Sequence, residues 1–363
     1  MRAMDTSSPR DLLQVPQEWS ITQVMLALES ALAGRGPALT FAPSRFSSVP
    51  AEIAVVIPTS GSSGAPKEVA ISAAALIAST TAAHQYLEAS AGDRWSLLLP
   101  INHIAGVNVL VRALALQSEI VDLRKSIKSR DVEFTAIVPT QLYRAMNGDE
   151  DLLKHIQRAR AVLVGGASTS EALLADARAH GVNVITTYGM SEMSGGCVYN
   201  QKPLAGVSFT TDESGRVLLK GPMRATTYLG NPEAWRRATD GDWFLTSDVG
   251  SVVDGSLLVQ GRIDDQIISG GEKISLNSLE DFLNSTLAPQ KFMTCALPDQ
   301  QWGQALCLAS DLEINNDLVK DVIRKEFGAH TIPKFFLGET DLPLTSIGKP
   351  DRQTLAGKFE RVN

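Results

Sequence analysis

The segment Thr59-Ser60-Gly61-Ser62-Ser63-Gly64-Ala65-Pro66-Lys67 places four hydroxyls, two glycines and a lysine within nine residues. Such a loop offers many hydrogen-bond donors and a cation to phosphate oxygens. It is not a Walker A loop, because Pro66 precedes the lysine and Glu68 follows it. Taken alone, it could equally be a flexible turn. Tyr188-Gly189-Met190-Ser191-Glu192 carries an aromatic ring that can stack on a base, then a hydroxyl and a carboxylate suited to phosphate and Mg²⁺. Thr246-Ser247-Asp248-Val249-Gly250 reads as a strand end bearing a carboxylate, which could accept from two ribose hydroxyls or simply form a turn. Gly261-Arg262-Ile263-Asp264-Asp265 is a short charged cluster, and Pro343-Leu344-Thr345-Ser346-Ile347-Gly348-Lys349-Pro350 holds one lysine between prolines.

Elements able to position these groups are visible in the hydrophobic pattern. Ile53–Ile57 predicts a buried strand, and Ser72–Leu87 predicts an Ala-rich helix opened by a serine cap. Ser96–Leu99, Phe134–Val138, Ala161–Val164 and Val184–Thr187 predict further strands. Helical patterns at Val107–Leu116, Gln141–Met146 and Ser170–His180 separate them. This alternation predicts an α/β fold with a largely parallel sheet covered on both faces. Ligands then bind at loops leaving the carboxyl ends of the strands.

After Gly206 the rhythm changes to short β-rich pieces at Val207–Thr210, Val217–Lys220, Trp243–Leu245 and Leu257–Gln260, a more antiparallel signature. Beyond them the pattern predicts helix Leu276–Leu287, strands Phe292–Leu297 and Ala305–Ala309, helix Leu318–Phe327 and a strand near Phe335. These form an α+β unit of domain size, which gives a large domain over 1–263 and a small one over 264–363.

Composition excludes other classes. The 363 residues include 33 Lys+Arg against 40 Asp+Glu, a net charge of −7, which argues against a nucleic-acid partner. A hydrophobic share of 44% with 20% charged residues is that of a folded globular chain rather than a disordered one. Cys197, Cys295 and Cys307 are far apart and form no C-x-x-C pair, so neither a disulfide framework nor a zinc site is expected. The first twenty residues lack the apolar core of a secretory signal. The most apolar stretch, Trp95 to Leu116, is broken by Pro100, Asn102, His103 and Arg112, so no membrane span is expected. The expectation is a soluble, cytoplasmic protein.

Each motif alone is modest, but their order and spacing closely resemble the adenylate-forming family of acyl-CoA synthetases, non-ribosomal adenylation domains and luciferases. The resemblance runs from Ile53 to the C-terminus. It implies a large N-terminal adenylate-forming domain with mixed sheets and helices, plus a small mobile α+β C-terminal domain. It also implies ATP, Mg²⁺ and CoA as cofactors, with a small carboxylic acid as substrate, and it leaves room for a homodimer. By this resemblance the loop containing Thr59, Ser60, Gly61, Ser62, Ser63, Gly64 and Lys67 closes over the ATP β- and γ-phosphates. Tyr188 stacks on adenine, Ser191 touches the α-phosphate and Glu192 ligates Mg²⁺. Asp248 and Arg262 hold the ribose, and Gly165 and Gly166 border adenine and the acyl pocket. His103, in Pro100-Ile101-Asn102-His103-Ile104-Ala105-Gly106, lies beside the reacting carboxylate. Asp264 is the hinge of the small domain, Lys349 bridges α-phosphate and acyl carboxylate, and Gly270 and Gly271 line the pantetheine tunnel. Ser191 replaces the family's usual threonine but keeps the hydroxyl. Asn102 stands where a bulky apolar residue is common, and the region before Thr59 is shorter than in full-length relatives.

Within the family the chain looks most like the short 2-succinylbenzoate–CoA ligases of menaquinone biosynthesis. Arg112, nine residues after His103 in an apolar run, is the residue-level clue, since a buried guanidinium needs an anion. The second carboxylate of an aromatic diacid would supply one. Arg112 could instead snorkel to the surface or pair with an acidic side chain. Alternative functions are activation of another aryl or fatty acid, loading of a carrier protein, or a non-catalytic nucleotide-binding role. The last would usually go with loss of Lys349 or Glu192, and both are present.

Overall fold

In the computed structural model the described residues are 8–59, 67–127, 130–269, 272–344 and 350–362. The chain divides into two compact units. The first comprises 1–210, 218–246 and 252–257; the second comprises 211–217, 247–251 and 258–363.

The first unit contains two sheets that carry motif residues. One runs in the order Thr227–Tyr228, Lys67–Ser72, Ile53–Thr59, Ala38–Thr40, Arg10–Gln14, Ser48–Val49. Ile53–Thr59 and Lys67–Ser72 pair antiparallel, with Thr59 opposite Lys67, so the stems of the Ser/Gly loop are held as a hairpin. The loop residues themselves, Ser60, Gly61, Ser62, Ser63 and Gly64, lie outside the described residues. The other sheet runs Lys202–Pro203, Gly195–Tyr199, Val184–Met190, Ala161–Gly165, Phe134–Ile137, Trp95–Leu97, Val121–Asp122. Its last five strands are parallel, as the alternating pattern predicts, and the first two are antiparallel.

Period-two alternation assigns that sheet's faces. Ser96 and Thr135 meet His155 of helix Glu150–Arg158, with Ser96 Oγ 2.9 Å from His155 Nε2. Leu142, Leu152, Ile156 and Leu174 from the helices on this side bury Val162, Val164 and Val184. Trp95 and Phe134 point the other way, and there Arg112 of helix Ile104–Ala115 lies over the Trp95 ring. Helix starts follow side-chain caps. Ser72 accepts from Ala75 N ahead of Ala73–Leu87, and Ser170 accepts from Leu173 N ahead of Glu171–Ala179. Such a cap is worth about 1 kcal/mol.

Two strands differ from expectation. The strand predicted to stop at Thr187 continues to Met190, because Gly195–Tyr199 folds back and pairs with it. The segment Thr246–Gly250 does not end a strand, since Trp243–Val253 runs straight through it. Gly250 permits this: a Cβ there would sit 2.5 Å from the Leu258 carbonyl oxygen on the adjoining strand. Helix Glu150–Arg158, the N-terminal elements and the final helix Arg352–Val362 were not foreseen.

The second unit holds a sheet ordered Glu272–Ser275, Gln266–Ser269, Gly303–Ser310, Phe292–Asp299, with Phe335–Leu337 pairing on Gly303–Ser310. Helices Leu276–Thr286 and Asn316–Phe327 bury Leu279, Leu283, Val319 and Ile323 against Leu306 and Leu308. Helix Arg352–Val362 buries Leu355 and Phe359 with Met293, Cys295 and Cys307. All three cysteines are free and buried, with Cys295 opposite Cys307 on neighbouring strands. No helix among the described residues is long and apolar enough to cross a membrane.

Candidate functional site

Two motifs converge in the first unit on Tyr228, a residue that belongs to neither. Tyr228 is buried and its hydroxyl donates to Glu192 Oε1 at 2.8 Å. Lys67 Nζ lies 5.0 Å from the centre of the same ring, a cation–π distance. Trp235 packs edge-on at 5.1 Å. Burial and the neighbouring Glu192 charge push the Tyr228 phenol upward, so it remains a proton donor. The backbone supports the arrangement: Tyr228 pairs with Val69, and Ala225 N donates to Glu192 O at 2.8 Å. The only sequence signal was an aromatic residue before a Gly-Asn-Pro turn.

The Tyr188–Glu192 motif is anchored from behind. Ser191 is buried and opens a 3-10 turn ending at Met193, and Ser194 follows in the left-handed region at φ 52°. The Ser194 carbonyl accepts from Asn108 Nδ2 at 2.7 Å and from Ser79 Oγ at 3.2 Å. Ser194 Oγ donates to Met223 O at 2.7 Å. Helices Ala73–Leu87 and Ile104–Ala115 are thereby tied to the turn that presents Ser191 and Glu192. Tyr188 sits at an irregularity in the pairing of Val184–Met190 with Gly195–Tyr199. Gly165 ends its strand opposite Thr187, with Gly166 just beyond.

His103 is partly buried at the N-cap of Ile104–Ala115, in extended conformation at φ −119°. Gly106 makes this corner possible, because a Cβ there would lie 2.1 Å from the Pro100 carbonyl oxygen. Arg112, further along the helix, is 4% exposed and donates from Nη2 to Tyr199 Oη at 3.0 Å. Its guanidinium carbon is 5.0 Å from the Trp95 ring centre, and its Nε has no hydrogen-bond partner. It is buried rather than at the surface, and its hydrogen bond goes to a phenol rather than to a carboxylate. Burial, with the Arg112 charge beside it, lowers His84 to about 4 and keeps that ring neutral near pH 7. Burial also pushes the Tyr199 phenol up.

In the second unit, Asp248 and Arg262 come together from adjoining strands, with Arg262 Nη1 3.8 Å from Asp248 Oδ1. Asp248 is nearly buried. The Asp264 backbone lies in the 3-10 turn Ile263–Asp265. Gly270, Gly271 and Lys349 lie outside the described residues.

The sequence profile of the AMP-binding enzymes matches residues 9–229. The chain belongs to that family. As an AMP-binding enzyme it is 31% identical to the "Probable 2-succinylbenzoate--CoA ligase" of Mycobacterium tuberculosis, over 96% of this chain and 98% of that one. It is 29% identical to the 2-succinylbenzoate--CoA ligase of Lactococcus lactis, over 84% of this chain and 71% of the relative. Its fold matches o-succinylbenzoate CoA synthetase (MenE) from Bacillus subtilis, solved with the acyl-adenylate intermediate OSB-AMP. That match has a TM-score of 0.74 at 21% identity, over 95% of this chain and 82% of that one. The amide bond synthetase McbA from Marinactinospora thermotolerans gives 0.76 at 22% identity, over 89% and 76%. At such identities the two structures establish the α/β architecture, which agrees with the fold class expected from sequence.

Proposed function

We propose that the chain is an AMP-forming acid–CoA ligase that activates 2-succinylbenzoate through an acyl-adenylate and then forms 2-succinylbenzoyl-CoA. The observation that carries this reading is the junction of Lys67 and Glu192 on Tyr228, which draws two phosphate-type motifs into one place. The names of these relatives, one of them matched nearly end to end, support the choice of acid.

The chemistry follows from charge. A carboxylate and ATP repel each other, so cations must offset the meeting of two anions. Lys67 stands at the stem of the Ser/Gly loop, and Lys349 is assigned to the α-phosphate and acyl carboxylate. The donor set at Glu192 suits Mg²⁺, which is usually held by one or two carboxylates plus substrate phosphates rather than by a protein cage. When bound, Mg²⁺ supplies charge neutralisation at the phosphates. Tyr228 holds one Glu192 oxygen and leaves the other for this task. Ser191 and Tyr188 would take the α-phosphate and adenine, with Gly165 and Gly166 beside them, and Asp248 and Arg262 the ribose. His103 would orient the reacting carboxyl. Rotation about Asp264 would withdraw Lys349 and admit the CoA thiol past Gly270 and Gly271. No enzyme nucleophile is required, since the thiol attacks the mixed anhydride.

Exchange of labelled pyrophosphate into ATP across a panel of acids tests the reading. Aromatic diacids should give the highest kcat/KM, and CoA should discharge the adenylate. Exchange confined to other acids would reject the substrate, and none with any acid would reject the ligase.

Tyr228→Phe keeps the ring under Lys67 but removes the bond to Glu192. A hydrogen bond to a charged group is worth about 1.5–3 kcal/mol. Adenylation should fall about tenfold or more, with a higher Mg²⁺ concentration at half-maximal rate. Unchanged Mg²⁺ dependence would show that Tyr228 serves packing alone.

A further inference from the structure

Arg352 bonds to side chains and backbone of several elements of the second unit, and no motif role accounts for it. Its side chain is 15% exposed, and Nε lies 3.1 Å from Asp265 Oδ1. Nη1 donates to Glu280 Oε1 and, at 2.7 Å, to the Thr294 carbonyl. Nη2 donates to Asn277 Oδ1 and, at 3.2 Å, to Glu280 Oε2. The partners are themselves cross-linked: Asn277 Nδ2 donates to Asp265 Oδ2 at 3.0 Å, and Thr294 Oγ1 donates to Glu280 Oε1 at 2.8 Å. Glu280 is buried. One planar fork thus joins the turn Ile263–Asp265, the helix Leu276–Thr286, the strand Phe292–Asp299 and the helix Arg352–Val362. The guanidinium suits this junction because it presents five donors in fixed directions, which a lysine cannot.

Its location gives the junction a consequence. Arg352 comes three residues after Lys349 and directly after Asp351, whose side chain caps the final helix through Thr354 N at 3.0 Å. Only three positions of chain separate Arg352 from Lys349, which lies outside the described residues. Upstream, Leu344 bridges Pro350, and Asp351 N donates to Pro343 O at 2.9 Å, so the described residues on either side of 345–349 are paired. At the other end of the fork stands Asp265, adjacent to Asp264. A small domain that swings about Asp264 delivers a lysine accurately only if the path from pivot to lysine is stiff.

We propose that Arg352 is a positioning residue for adenylation, locking the lysine-bearing segment to the turn that contains the pivot. The proposal rests on the ligase reading, in which Lys349 acts in the first half-reaction. Displacing a reacting group by about 1 Å can cost about 10²-fold in rate.

Arg352→Lys keeps the charge and loses the fork. Adenylation, read by pyrophosphate exchange, should fall by up to about 10²-fold, while thioester formation from pre-made acyl-adenylate stays within about twofold, since the lysine is then withdrawn. In a Lys349→Ala background the same change should cause no further loss of adenylation, because Arg352 acts through the lysine. Glu280→Gln, which keeps the shape of the junction, should behave in the same way if Arg352→Lys does not fold. Parallel loss of both half-reactions, or a loss that multiplies with that of Lys349→Ala, would overturn the proposal and leave a structural role. The two readings separate cleanly. If Lys349→Ala abolishes adenylation while Arg352→Lys spares it, the ligase assignment stands and the positioning role fails. If Lys349→Ala spares adenylation, the lysine assignment and the positioning role fail together, whereas absence of exchange by the unsubstituted enzyme with every acid would reject the ligase reading itself.

Discussion

Replacement of Lys349 by alanine should lower acyl-adenylate formation by about 10²–10³-fold, roughly 3–4 kcal/mol, the usual cost of losing one preorganised contact to developing charge. Transfer from pre-made acyl-adenylate to CoA should remain near the wild-type rate. The asymmetry is the point of the experiment. In the first half-reaction two anions are forced together and a cation between them lowers the barrier. In the second the thiol attacks an activated carbonyl, AMP departs, and a lysine withdrawn by the swing of the small domain has no part to play. Pyrophosphate exchange reads the first step, and thioester formation from supplied adenylate reads the second. Equal loss in both would remove the division of labour between domain positions, and with it the reason for assigning Asp264 as the pivot.

Legibility in the sequence followed the range of the interactions concerned. The parallel strands and the helices between them announce themselves locally, as β-branched runs and apolar stripes with Ser caps, and the structure places them within a few residues of expectation. The length of Trp243–Val253 was hidden because Gly250 and Asp248 are poor strand formers. What overrides that preference is the close approach of the adjoining strand at Leu258. Helix Glu150–Arg158 escaped because it is mostly polar, with only Leu152, His155 and Ile156 buried. His155 is a core residue bonded to Ser96, so a histidine on an otherwise charged helix proved to face inward.

The candidate site shows the same rule. Glu192, Lys67 and Asp248 were visible because their neighbours in sequence form motifs. Tyr228 was not, since its partner lies 36 residues earlier and only folding brings the two together. Arg352 is a sharper case: its partners Asp265, Asn277, Glu280 and Thr294 come from three separate elements, and nothing in Lys349-Pro350-Asp351-Arg352 signals that convergence. Arg112 stood out as a charge in an apolar run, but its setting was open until Tyr199 and Trp95 were seen beside it.

That setting makes Arg112 the test of which acid is activated. The guanidinium is buried against a neutral phenol and an indole face, with His84 neutral nearby and Nε unbonded. One hydrogen bond and a cation–π contact offset only part of the several kcal/mol that desolvating an ion costs. A bound anion would supply the rest. Arg112→Ala and Arg112→Lys should therefore weaken use of the aromatic diacid by about 2–5 kcal/mol, and a monoacid lacking the ring carboxylate should suffer far less. Arg112→Met, close in volume, adds a readout that a merely structural arginine would not produce. Without ligand it should match or exceed the wild-type thermal stability, because an uncompensated buried charge has been removed. Steady-state kinetics with both acids, set beside melting curves, decide the matter. Equal loss toward both acids together with a lower melting temperature would make Arg112 a structural residue and leave the diacid supported by the relatives' names alone.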